Sequence, residues 1–227
     1  MAVEGVTFFQ AMHRAAPHGA AALDVLPALA AWRAILAGTG GIGQDDARYD
    51  GAGYGNVSVR VGPFPGRRGA RAFVVSATQT GGLDCVGPEH FAKVERYDPA
   101  SNTVWSTGPQ PPSSESMTHG ALYDLAPHLR AVVHVHCPTV FRAADALKLP
   151  STKPHIGYGT PAMAREMERL WRSSTLPEVQ ALIMAGHEDG VIAIGRTLAE
   201  AGTVMVALHA RALALGFSSS GGVCRPT

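Results

Sequence analysis

Residues 128–140 read HLRAVVHVHCPTV, and the run AVVHVH at 131–136 decides how the rest of the chain is read. Its β-branched, apolar character marks a buried strand near its end. Side chains at i and i+2 of a strand share a face, so His134 and His136 point to one side of the sheet and can present two imidazole nitrogens to one point. That arrangement suits a divalent metal ion. Each residue can equally be a partly buried histidine hydrogen-bonded to the sheet or to water. Cys137 alternates to the opposite side and is not counted with them.

Outward from this strand, the sequence alternates between hairpin-type joints and helices. Leu23, Leu26, Leu29, Trp32, Ile35 and Leu36 recur at helical spacing in a segment that ends on glycines, with Pro27 placed in its first turn. Residues 40–56 are loop by composition. NVSVRVG (56–62) and RAFVVSA (71–77) are expected to form a hairpin, as are AKVERYD (92–98) and NTVWST (102–107). A proline-rich loop feeds a helix with Ser113 or Ser114 as its N-cap. After AVVHVH come a helix over 139–147, a loop through PSTKPHIGYGT (150–160), a helix over 161–174, strands at 179–185 and 191–195, and a long helix from about Leu198 to Leu215. Hairpin joints outnumber strand-helix-strand crossovers, which predicts a mainly antiparallel, mixed sheet with helices on its faces. One domain is expected over residues 1–217, with a flexible tail over 218–227.

Composition narrows the functional classes. The 227 residues are 46% hydrophobic and 16% charged, with a formal net charge of +1, and the basic residues are scattered apart from Arg67, Arg68 and Arg71. Nothing in that distribution favours nucleic acid or a membrane surface as partner, while a small anionic ligand is compatible. Three widely spaced cysteines without a CxxC suggest reduced thiols. The N-terminus lacks a secretory pattern, and no unbroken run of about 18 apolar residues occurs. These features give the expectation of a cytoplasmic protein.

A metal held by two strand histidines needs a third ligand from another element. MAGHEDGVIAIG (184–195) supplies His187 in a glycine-flanked turn between two expected strands, although alone it is an ordinary turn residue. With that residue in place, the chain resembles the class II aldolase/adducin family, whose best-known members cleave fuculose 1-phosphate or rhamnulose 1-phosphate. The resemblance runs from about Leu26 to Leu215 and rests on five motifs in order: GNVSVR, TGG, PSSE with a histidine four residues past the glutamate, AVVHVH, and HEDGVIAIGRTLAEA. It implies a single three-layer α/β/α domain with a largely antiparallel central sheet.

Transferred residue by residue, the resemblance makes His134, His136 and His187 zinc ligands and Glu115 the acid/base residue. Three neutral imidazoles leave zinc its full charge and open positions, so it can bind a substrate hydroxyl and carbonyl and stabilise an enediolate. Glu115 can move the proton or serve as a displaceable fourth ligand; a glutamate in a first helical turn can also simply answer the helix dipole. Gly55, Asn56, Thr80, Gly81, Ser113 and Ser114 match the residues that surround a substrate phosphate in the family. Short hydroxyls and backbone N–H groups at a helix start favour an anion. The same residues also serve as caps and turn formers. Tyr158 occupies the position of an aromatic near substrate, or is a packed tyrosine. His119 matches a histidine with a structural hydrogen bond.

Two departures from the family pattern stand out. Most relatives have His-Gly where this chain has His187-Glu188-Asp189-Gly190, so either His187 ligates from a longer turn or Asp189 takes that position; the three-histidine set favours His187. No aromatic follows Phe217 or lies between Phe141 and Tyr158 to serve the aldehyde end of a substrate. The resemblance thus implies a zinc-dependent lyase for reversible aldol cleavage of a phosphorylated ketose or similar hydroxyketone, assembled as a homotetramer with sites at subunit boundaries. Alternatives on the same scaffold are a dehydratase of the methylthioribulose-phosphate type, a sugar-phosphate epimerase, a decarboxylase that needs no phosphate, and a non-catalytic adducin-like binding protein. Epimerases of this group tend to carry aspartate at the position of Glu115.

Overall fold

The computed structural model describes residues 6–220. In chain order the elements are β1 (Gln10–Ala15), α1 (Ala20–Leu23), α2 (Leu26–Gly38), β2 (Gly43–Gln44), β3 (Gly53–Tyr54), β4 (Asn56–Arg60), β5 (Phe73–Ser76), β6 (Phe91–Asp98), β7 (Thr103–Gly108), α3 (Ser116–Leu125), β8 (Ala131–His136), α4 (Pro138–Arg142), α5 (Pro161–Ser173), α6 (Leu176–Val179), β9 (Ala181–Ile183), β10 (Gly190–Gly195) and α7 (Leu198–Ser220). Eight strands form one sheet in the order β1-β7-β6-β5-β4-β8-β10-β9, antiparallel throughout except for the β1·β7 pair at one edge. Both expected hairpins form, and AVVHVH is β8.

Alternation along the central strands sorts two cores. Val57, Val133, Val135, Val191 and Ala193 pack with Leu29 and Leu36 of α2 and with Ala201, Met205 and Leu208 of α7. Val75, Val132, Ile192 and Ile194 face the other way, toward Met117 and Leu122 of α3 and Met163 and Met167 of α5. The sheet therefore lies between two helical layers, the three-layer arrangement that the resemblance implied. Because Val132 belongs to the α3 side, the period-two rule puts His134 and His136 on that side too.

Several elements differ from the expectations. Pro27 occupies the first turn of α2, as expected, but Leu23 falls in a separate short piece, α1, because proline cannot continue a helix from before itself. The helix expected over 139–147 stops at Arg142, after which the chain proceeds by turns to the left-handed Lys148. The strand expected from 179 shortens to Ala181–Ile183, since Gln180 takes a left-handed C-cap conformation after α6. Residues 40–56 contain the small β2·β3 ladder, and β1 was not foreseen. The helix α7 runs to Ser220, beyond Leu215, and residues 221–227 of the expected tail lie outside the described residues. Residues 20–38 and 198–216 reach the length and mean hydropathy (1.5 and 1.3) of a membrane-crossing helix. Both instead lay an apolar stripe on the sheet and pack against each other.

Candidate metal and anion site

The three histidines meet. His134 and His136 project from the last residues of β8, and His187 comes from the turn that leads into β10, the antiparallel neighbour of β8. That turn is closed by hydrogen bonds from His187 N to Met184 O (2.8 Å) and from Gly190 N to His187 O (2.9 Å), which fix where the imidazole starts. Potential ligand atoms of the three rings lie within 4.8 Å of one another, and all three residues are buried. Burial, reinforced by His187 and His134, keeps the His136 imidazole well below its ordinary pKa, and a neutral imidazole is the ligating form.

Glu115 occupies the N-cap position of α3 with its side chain directed into the sheet, 1% exposed. The helix therefore begins one or two residues later than a Ser113 or Ser114 cap would place it, while Ser113 Oγ accepts the Glu115 N–H at 3.3 Å. The Glu115 carboxylate lies 3.2 Å from Nδ1 of His134 and 3.0 Å from Nδ1 of His187. Burial works against its charge, but His134 and His187 outweigh burial and hold its pKa down at about 2. Three converging imidazoles and one ionised carboxylate form a donor set that fits a divalent transition metal.

Asn56 pairs directly with His134 across the β4·β8 ladder, so the strand register brings the second expected cluster beside the first. Gly55, Asn56, Thr80, Gly81, Ser113 and Ser114 line one small cavity. Gly55 is left-handed (φ 74°), and a Cβ there would come within 2.7 Å of Gly41 O; at Gly81 a Cβ would meet Gly43 O at 2.2 Å. Both positions require glycine, because a side chain at either would collide with neighbouring backbone. Oδ1 of Asn56 is buried with no hydrogen-bond partner among the described residues.

Tyr158 lies against the histidine group. It is fully buried, its ring stacks on His187 at 4.4 Å between centroids, and its hydroxyl donates to Val6 O at 2.9 Å. This geometry lays the ring against the imidazole, the packed arrangement that was the other reading of this tyrosine. His119 is wholly buried with Nδ1 2.7 Å from Ser58 Oγ, which in turn is 2.6 Å from Tyr123 Oη, the structural role expected of it. Asp189 does not join the histidines; it accepts a hydrogen bond from Tyr49 at 2.7 Å.

Tyr49, Tyr54 and Arg48 are residues that the sequence did not reveal. The Tyr49 ring packs edge-on against His136 at 4.5 Å, Tyr54 lies 5.3 Å from the same imidazole, and Arg48 covers both tyrosines. Both tyrosines belong to the loop ahead of β4, outside the stretches between Phe141 and Tyr158 and after Phe217. Beside them a cavity of about 660 Å³ opens from His136 and is walled by polar residues including Gln44, Arg48, Thr139 and Arg142. Only the pairing of Tyr49 with Tyr54 in a glycine-rich loop hinted at them.

The fold and the histidine group define a class of protein, and comparison with known proteins identifies it. The profile described as "Class II Aldolase and Adducin N-terminal domain" matches residues 44–214, so the chain belongs to the class II aldolase and adducin family. Among solved structures, L-fuculose-1-phosphate aldolase from Thermus thermophilus is similar, with a TM-score of 0.63 and 21% identity over 90% of this chain and 99% of that one. YgbL from Escherichia coli, described as a putative aldolase/epimerase/decarboxylase, gives a TM-score of 0.62 at 18% identity over 91% and 95%. A sugar-phosphate aldolase from Thermotoga maritima gives 0.63 at 15% identity over 90% and 99%. These likenesses establish the shared fold. No curated protein sequence matches the chain.

Proposed function

We propose that this protein is a zinc-dependent carbon-carbon lyase that cleaves a small phosphorylated hydroxyketone, such as a ketose 1-phosphate, by reversible aldol cleavage. The observation that carries this reading is the meeting of His134, His136 and His187 with the Glu115 carboxylate in one buried cluster. The three imidazoles would hold the ion. When bound, a divalent ion stabilises negative charge that develops on substrate oxygens during bond cleavage.

The protein's own groups do the rest. Gly55, Asn56, Thr80, Gly81, Ser113 and Ser114 hold the phosphate in their cavity through hydroxyl and amide donors, which fixes the distance from the phosphate to the cluster. Glu115 takes a proton at its carboxylate oxygens and returns it. Exclusion of water and the approach of substrate oppose its ionisation, while positive charge at the histidine cluster favours it. Tyr158 stacks on His187 and steadies that ring. The polar cavity beside His136 has room for the aldehyde-side portion of a substrate.

The assembly proposed is a homotetramer with sites at subunit boundaries, for which exposed Phe8, Met12, Ile35 and Val206 offer apolar surface. A cytoplasmic setting agrees with Cys85 and Cys137, both free thiols. The test is metal analysis of the purified protein together with a panel of ketose 1-phosphates. A stoichiometric chelatable ion and release of dihydroxyacetone phosphate support the lyase. Water loss with the carbon chain intact points to the dehydratase, and a protein that takes up no metal points to a binding protein.

A further inference from the structure

A buried cation stands behind the anion cavity. Arg33 lies on α2 among Leu26, Leu29 and Leu36, on a face otherwise given to the apolar core, and it is 2% exposed. Its Nη2 donates to the carbonyls of Thr80 (2.5 Å) and Gly81 (2.9 Å), its only side-chain hydrogen bonds among the described residues. No carboxylate lies within ion-pair distance of it among those residues; Asp84 acts on it from farther away. A guanidinium in this position has lost its water and gained two neutral acceptors in return, which leaves its charge largely uncompensated.

Two consequences follow for the cavity. In a trans peptide the C=O of one residue and the N–H of the next point in opposite directions. With the Thr80 and Gly81 carbonyls drawn to Arg33, the N–H groups of Gly81 and Gly82 are turned away from it, and Gly81 itself lines the cavity beside Asn56, Ser113 and Ser114. The guanidinium also sits directly behind the cavity wall, shielded from solvent, where its field is weakly screened. Among the described residues, the cavity has no lysine or arginine in its own lining.

We infer that Arg33 is a positioning residue for a phosphate monoester: it orients the Thr80–Gly81 backbone and supplies, from behind that backbone, the positive charge that the cavity lining lacks. This inference rests on reading the cavity as a phosphate subsite. Burial lowers the proton affinity of Arg33 and Asp84 raises it, consistent with a cation short of a counter-charge.

The test uses the full-length protein and inorganic phosphate, with binding read by titration calorimetry and by the rise of the unfolding midpoint against a chloride control. R33M removes the charge with little change in volume, and R33K keeps the charge without the planar fork. Phosphate affinity is expected to fall about tenfold or more in R33M and to stay within about threefold of the natural protein in R33K. Cobalt uptake by the histidine cluster should be unchanged in both variants. Equal phosphate affinity in R33M and the natural protein overturns the inference, because a purely structural arginine would lower the unfolding midpoint without changing anion affinity. If R33M does not fold, loss of phosphate binding in a folded R33K overturns the role of charge, and retention supports it. If the natural protein binds phosphate no better than chloride, or S114A binds it equally well, the subsite reading itself falls and the inference with it.

Discussion

The hydroxyl of Tyr49 donates to Oδ2 of Asp189 over 2.7 Å, joining parts of the chain 140 residues apart. Both residues are left-handed, with φ of 53° and 58°, a conformation that costs a non-glycine residue about 1 kcal/mol or more. One hydrogen bond contributes only about 1 kcal/mol net, so it does not offset both strained residues. The edge-on packing of Tyr49 against His136 and Tyr54 must add to it. The result is a clasp between the loop ahead of β4 and the turn that carries His187.

Tyr49→Phe keeps the ring and removes the clasp's hydrogen bond. We expect a loss of about 1–2 kcal/mol of stability by urea unfolding, moderated by the partial hydration available to Asp189. Metal release to a chelator should be faster than in the natural protein. An unchanged release rate would show that the His187 turn holds its shape without Tyr49.

Glu115→Gln separates metal binding from proton transfer. The three imidazoles remain, so a stoichiometric ion is expected by elemental analysis, while kcat falls by about 10²–10⁴. His187→Ala should instead lose the ion along with the activity. Full turnover in Glu115→Gln would remove the proton-transfer role assigned to the carboxylate.

His119 predicts part of the acid sensitivity. Burial outweighs the opposing attraction of Glu115 and lowers its pKa from 6.5 to about 3, so it is neutral in the fold while the unfolded chain binds a proton below about 6.5. Its contribution to stability is therefore complete above pH 6.5 and declines as pH falls toward 3, by up to about 1.4 kcal/mol per unit. Urea unfolding of the natural protein and His119→Gln at about pH 7.5 and about pH 5 measures this. The variant should begin less stable, having lost the contact with Ser58, and lose less on acidification.

Gly202 lets α7 cross α2 closely. A Cβ built there falls 2.2 Å from Cε3 of Trp32. Although alanine favours an α-helix over glycine by about 1 kcal/mol, overpacking costs about 1–3 kcal/mol, so Gly202→Ala should be destabilising. Adding Trp32→Ala should relieve the clash, and the two effects should not add in thermal unfolding.

Much of this fold was legible because period-two and helical patterns report which face of a local segment is buried. The AVVHVH run revealed both that a strand ends at residue 136 and that its two histidines share a face. The β1 strand escaped because QAMHRA, at a sheet edge, buries neither face and so carries no alternation. Tyr158 was legible as a residue near the site, but only the packing showed its hydroxyl turned to Val6 and its ring laid on His187.

The sequence by itself determined the central strands, the main helices and the residue types that can hold a metal and an anion, since each depends on neighbours within a few positions. Tertiary structure brought His187 to the β8 pair, as the sequence favoured, and alone decided that Tyr49 reaches Asp189 and that Arg33 stands behind Thr80 and Gly81. Those relationships are set by strand register and by how layers pack, so contacts between distant segments leave no periodic trace in either one.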